Sequence, residues 1–209
     1  MTRQRSISAS LLAAAVLVAT VAGCSSSPSG PKEDDLALDA GAHANIIITQ
    51  IAVDTEGLDF GEMNRTVDIM VKGIVTETPG FVSWYAGNQA MPLSKATNMS
   101  IGDEQLKITA TLRRLPSLQS ASDRKHHVPA LTPEEAARVI IASELLDARY
   151  LTPADLPGAL DANHAVTAGT ALDTWYTAHA DQPLAPGSSV TLATEATRIV
   201  AEINRPEPS

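Results

Sequence analysis

The chain has one cysteine, seven aromatic residues (two Phe, two Trp, three Tyr) and more acidic than basic side chains. Each scarcity removes a class of function. A lone cysteine, Cys24, rules out an internal disulfide and a cysteine-built zinc site. Seven aromatics are few for the stacking platforms of a sugar-cleaving cleft. No Gly-x-Ser-x-Gly elbow and no glycine-rich phosphate loop occurs, so neither serine-hydrolase nor nucleotide chemistry has a motif to stand on. The 15 Lys and Arg against 24 Asp and Glu give a net charge of −9. The densest basic stretch, Asp123-Arg124-Lys125-His126-His127, is too short to overcome that field, so nucleic acid is not expected as a partner. The acidity reads instead as a device for solubility.

The most informative feature is at the start. Arg3 and Arg5 precede an apolar run, Ile7 to Val21, followed by Ala22-Gly23-Cys24. A positive front, an apolar centre and a small-residue cleavage site mark an export signal. The run is short for a spanning helix, which needs roughly 20 apolar residues. Val21-Ala22-Gly23-Cys24 resembles the lipobox of bacterial lipoproteins. That resemblance covers the first 24 residues and implies cleavage between Gly23 and Cys24, diacylglycerol on the Cys24 thiol and acylation of the new amino terminus. Two or more acyl chains anchor a protein stably, at about 0.8 kcal/mol per buried methylene. The expected organisation is a signal peptide over 1–23, a lipidated cysteine and flexible tether over 24–45, and one α+β globular domain over 46–209 with a division near 116–131. Loss of Arg3 and Arg5 with the signal leaves a mature charge of −11. Ser25 to Asp35 has no apolar residue except proline, and eleven such residues reach about 18 Å.

The first half of the domain, about 46–115, reads as an antiparallel sheet or small sandwich. Asn45 to Val53 is rich in β-branched residues, as in a buried strand. Thr66 to Lys72 alternates, and Ile74 to Thr76 resumes out of phase across Gly73, which suggests a bulge. Pro79-Gly80 reads as a turn before a strand over Phe81 to Tyr85. Ile101 to Glu104 reads as a hairpin tip whose return strand, Gln105 to Leu115, places Leu106, Ile108, Ala110 and Leu112 on one face. A mainly helical part, about 132–204, follows. Thr132-Pro133-Glu134-Glu135 opens a helix to about Tyr150 with a capping box. Further helices are expected over 159–178 and 191–204, the last burying Ala193, Ala196, Ile199, Val200 and Ile203. Leu151-Thr152-Pro153-Ala154-Asp155 reuses the same opening, which reads as a repeated cap rather than a repeated unit.

Candidate sites are few. Asp123, His126 and His127 lie close in sequence, but adjacent residues diverge on a regular element and no third ligand is evident, so no metal and no cofactor is expected. His164 and His179 are spaced to share a helix face, as boundary residues. Phe81, Trp84, Tyr85, Trp175 and Tyr176 form a candidate binding patch: on a strand, Phe81 and Tyr85 would share one face and Trp84 the other. No catalytic residue can be named, and the balance lies against an enzyme. Three readings stay open. The first is a non-enzymatic lipoprotein, held on the extracytoplasmic face of the cell membrane, that binds an envelope protein or a small ligand, with exclusion or assembly roles included. The second is a lipid-anchored hydrolase without a motif, and the third a structural envelope component.

Overall fold

The computed structural model describes residues 39–59, 61, 63, 69–119 and 129–205. Gly23, Cys24 and the leader, most of the tether, the start of the strand expected at Thr66, and the Asp123, His126 and His127 cluster lie outside the described residues. Six helices carry the described fold: α1 (Ala40–Asp54), α2 (Pro79–Asn88), α3 (Ile101–Leu112), α4 (Pro133–Asp147), α5 (Thr170–His179) and α6 (Leu192–Ile203). One antiparallel hairpin, β1 (Met70–Val71) and β2 (Ile74–Val75), pairs Met70 with Val75 and Val71 with Ile74. The protein is mixed α+β with a helical majority, and the described residues contain no sandwich.

Three expected strands are helices, and caps explain why. Asp39 accepts from Ala42 N and opens α1, inside the stretch read as tether. The β-branched run that suggested a strand is buried on nearly every side of α1, so its apolar period carried no information about its type. Thr78 accepts from Phe81 N with Pro79 in the first turn, so Pro79-Gly80 starts a helix instead of turning. Ser100 and Asp103 form a capping box at the supposed hairpin tip. In α3 the inward residues are Ile101, Glu104, Ile108 and Leu112, a helical spacing, whereas Leu106 is 66% exposed.

The helical half agrees better. Thr132 and Glu135 make the expected capping box for α4, and Thr191 caps α6. The helix expected over 159–178 begins only at Thr170. Before it, Asp161 Oδ1 accepts from Asn163 N and Ala165 N, closing a side-chain turn, and Leu160 bridges to Val166. At Lys72-Gly73 the phase shift is a reversal, not a bulge: φ is +54° and +82°, which suits the twist of a two-residue hairpin.

The second half repeats the first. Trp84-Tyr85, Pro92-Leu93, Glu104 and Ile108 recur as Trp175-Tyr176, Pro183-Leu184, Glu195 and Ile199, each 91 positions on (175 − 84). The hydrogen bonds recur too. Leu93 N donates to Met99 O, Ile101 N to Met91 O and Gly102 N to Gln89 O; Leu184 N donates to Val190 O, Leu192 N to Gln182 O and Ala193 N to Ala180 O. The ends of α1 and α4 match at a spacing of 93 (147 − 54): Leu58 N reaches Ala52 O, Leu151 N reaches Leu145 O, and Glu56 and Arg149 both take left-handed φ, +58° and +62°. Each half is thus a long helix, a connection with antiparallel pairing, a short helix and a closing helix; that pairing is the β1–β2 hairpin in the first half and the lone Leu160–Val166 bridge in the second. Within the halves α1 packs on α3 and α4 on α6; between them α1 packs on α6 and α3 on α4. Side chains cross as well, with Ser94 Oγ donating to Ala148 O at 2.7 Å and Ser188 Oγ to Asp54 O at 2.6 Å.

Candidate functional site

The four long helices bury three glutamates. Glu104 on α3, Glu144 on α4 and Glu195 on α6 are wholly inaccessible, and none of their carboxyl oxygens makes a hydrogen bond of ordinary geometry. Glu104 and Glu195 are repeat counterparts, and each faces a cation one helical turn on: Lys107 Nζ at 3.4 Å and Arg198 Nη1 at 3.6 Å. Those cations also reach across the halves, Lys107 to Asp147 and Arg198 to Asp54.

Burial controls the protonation of this core. It pushes the Glu104 carboxyl up to about 8, with Lys107 pulling down and Asp147 pushing up. Glu144 is held well above the usual carboxylate range by burial first and then by Glu104, Glu195 and Asp147. Glu195 is likewise held well above it by burial, then by hydrogen bonding to the neighbouring Asp54 carboxylate and by that group's charge, against the pull of Arg198. Burial thus favours the protonated form of all three, which spares the core the large cost of an unpaired charge.

Glu195 also lines a cleft of about 190 Å³ between α1, α6 and the hairpin. Its walls are mainly Ile46, Ile47, Ile74, Val75 and Ile199. Gln50 fixes the hairpin over it: Val75 N donates to Gln50 Oε1 at 2.8 Å, while Gln50 Nε2 donates to Gly73 O at 3.3 Å and Asp54 Oδ2 at 3.0 Å. Glu202, also on the lining, meets His43 Nδ1 at 2.9 Å and Arg205 at 3.2 Å. Among the described residues no group of three His, Cys, Asp or Glu is placed to hold a metal ion, and no helix is long and apolar enough to cross a membrane.

The aromatic residues named from the sequence pack against the core to different depths. Phe81, Tyr85 and Trp175 are buried, while Trp84 and Tyr176 are half-buried. On a helix, positions 81, 84 and 85 share a face, so the two-faced strand arrangement is replaced by one inward cluster. Phe81 lies 6.4 Å from Trp84 and 6.0 Å from Tyr85, centroid to centroid. Burial raises the Tyr85 hydroxyl to about 12. Trp175 stacks on His179 at 5.1 Å, and Arg138 lies over the Tyr176 ring at 5.3 Å. His164 and His179 share no helix face, because His164 sits in the preceding turn with φ +61°.

Sequence reading missed Glu104, Glu144 and Glu195, as well as Asp54 and Arg198. The available signal for Glu104, Glu195 and Arg198 was the recurrence of Trp-Tyr, Pro-Leu, Glu and a basic residue 91 positions apart, and for Asp54 its recurrence as Asp147 at a spacing of 93. Glu144 had none, because its counterpart in the first half is Ile51. Comparison with protein-family models, with curated proteins and with solved structures found no significant match.

Proposed function

We propose that the chain is an extracytoplasmic lipoprotein, held at the cell membrane by acylated Cys24, whose folded part is a non-enzymatic binding module of the cell envelope. The lipobox-like Val21-Ala22-Gly23-Cys24 supports the location. One observation supports the binding role: a cleft walled mainly by apolar side chains lies between α1, α6 and the hairpin. Small-ligand sites are concave, mostly apolar and furnished with few polar groups, and this cleft has that character.

The test is mass spectrometry of the amino-terminal peptide together with affinity capture from crosslinked cells. The expected result is a mature chain beginning at lipidated Cys24, and a partner or ligand recovered with it and lost from a Cys24→Ala variant. A bare thiol with the leader attached refutes the location. Lipidated protein that recovers no specific partner or ligand refutes the binding role.

A further inference from the structure

We infer that the seam between the two halves is a pH-responsive joint, which opens reversibly as the surroundings turn alkaline, with the buried Glu144 side chain as its trigger. The inference goes beyond the binding-module reading and does not rest on it.

The seam runs where α1 meets α6 and α3 meets α4, and the long helices pack more extensively within each half than across it. Openings short of unfolding follow the least packed boundaries, so the seam yields before either half does. Glu144 is wholly inaccessible, makes no hydrogen bond of ordinary geometry, and lies near enough to Glu104 of the first half and Glu195 of its own for both to act on it. Packing does not require an acid there, because fully buried Ile51 fills the equivalent place in the first half. What Glu144 adds over an isoleucine is the ability to ionise.

The charged groups around it oppose that charge or are engaged elsewhere. On α3, Glu104 faces Lys107; on α6, Glu195 lies between Arg198 and Asp54 of α1. Asp147 of α4 itself holds Lys107, and Tyr150 just beyond α4 feels the Glu144 charge. Helix α5 brings Asp173, paired with Arg138, and His179, whose Nδ1 meets Trp175 O. None of these cations is left to receive an ionised Glu144, and Glu104, Glu195 and Asp147 all disfavour its charge. The closed seam therefore keeps the proton, and a seam that admits water releases it near the ordinary carboxylate range. The open form binds fewer protons, so rising pH favours it by about tenfold per unit for each proton released. The cleft has walls from α1 of one half and α6 of the other, so opening changes its width.

The test measures thiol accessibility in the chain from residue 24 onward, with Cys24→Ala. Ser94 and Ser188 are buried and bond across the seam, to Ala148 O and Asp54 O. Ala159 is buried inside the second half, where its carbonyl accepts from Thr167. Ser94→Cys, Ser188→Cys and Ala159→Cys are made singly. Their labelling by an aromatic disulfide reagent between pH 6 and pH 9, scaled to an unstructured cysteine peptide, gives an opening constant at each position. The expected result is a rise of about tenfold or more at both seam probes, with Ala159→Cys about tenfold less open than either at pH 9. Adding Glu144→Ile or Glu144→Gln, neither of which ionises, lowers the rise by about tenfold. A flat profile at the seam probes, labelling of Ala159→Cys as fast as theirs, or an undiminished rise in the Glu144 variants each overturns the inference.

Discussion

Asp54, in the last turn of α1, pairs with Arg198 of α6, and so ties the first helix of one half to the closing helix of the other. Its repeat counterpart, Asp147 at the end of α4, pairs with Lys107 of α3 in the reverse direction. The halves therefore interlock through two equivalent ion pairs, and each pair covers a buried glutamate.

The two pairs differ in exposure, and that sets their worth. The Asp54 side chain is 10% exposed and that of Asp147 is 20%; the cations are 33% and 44% exposed. Removing one partner of a shielded pair leaves an uncompensated charge, whereas exposed pairs are worth about 1 kcal/mol or less. Asp54→Asn is expected to destabilise by about 2 kcal/mol and Asp147→Asn by about 1 kcal/mol. Urea denaturation midpoints check this, and equal losses would count against the difference in shielding.

Stability should fall as pH rises. The Glu104 carboxyl titrates near 8 in the folded chain, against an ordinary value of 4.5. Between those limits the unfolded chain has lost the proton that the folded chain keeps, so the folded state binds more protons and loses stability as pH increases. One such group costs roughly 1.4 kcal/mol per pH unit across that window. Lys107 and Asp147 both face it, the first opposing and the second strengthening the effect, and Glu144 and Glu195 act in the same direction. Thermal midpoints between pH 5 and 8 should decline. A rising profile would show that the glutamates are ionised in the fold.

Glu144 occupies the place that Ile51 holds in the first half, and Ile51 is fully buried without strain on any polar group. Replacing a buried, unpartnered carboxyl with an apolar side chain of similar size is neutral or stabilising. Glu144→Ile is expected to stabilise the protein by about 1–3 kcal/mol at pH 7.5 and to flatten the pH profile. A destabilised variant would mean that Glu144 has a partner that the packing does not reveal.

Trp175 is 7% exposed, whereas its counterpart Trp84 is only half-buried. A large-to-small change in a core costs about 3–5 kcal/mol, and less where the site is open. Trp175→Ala should lose about 3 kcal/mol and Trp84→Ala about half as much, as read by chemical denaturation. Comparable losses would place Trp84 deeper than its exposure implies.

Features set by local chemistry were legible along the chain. Thr132 with Glu135, and Thr191, capped helices where expected, because a cap needs only residues within one turn. Gly73 marked a break in strand phase for the same reason. Tertiary structure decided the rest. The run Asn45 to Val53 became helix because it is surrounded on nearly every side, and a fully buried segment loses the periodicity that separates strand from helix. Gln105 to Leu115 alternates well enough for a strand, yet the capping box at Ser100 and the inward pull on Ile101, Ile108 and Leu112 made it a helix with Leu106 outside. Glu104, Glu144 and Glu195 look like solvated surface charges in a linear chain. Only the packing of two like halves against each other removes water from all three and so raises their affinity for protons.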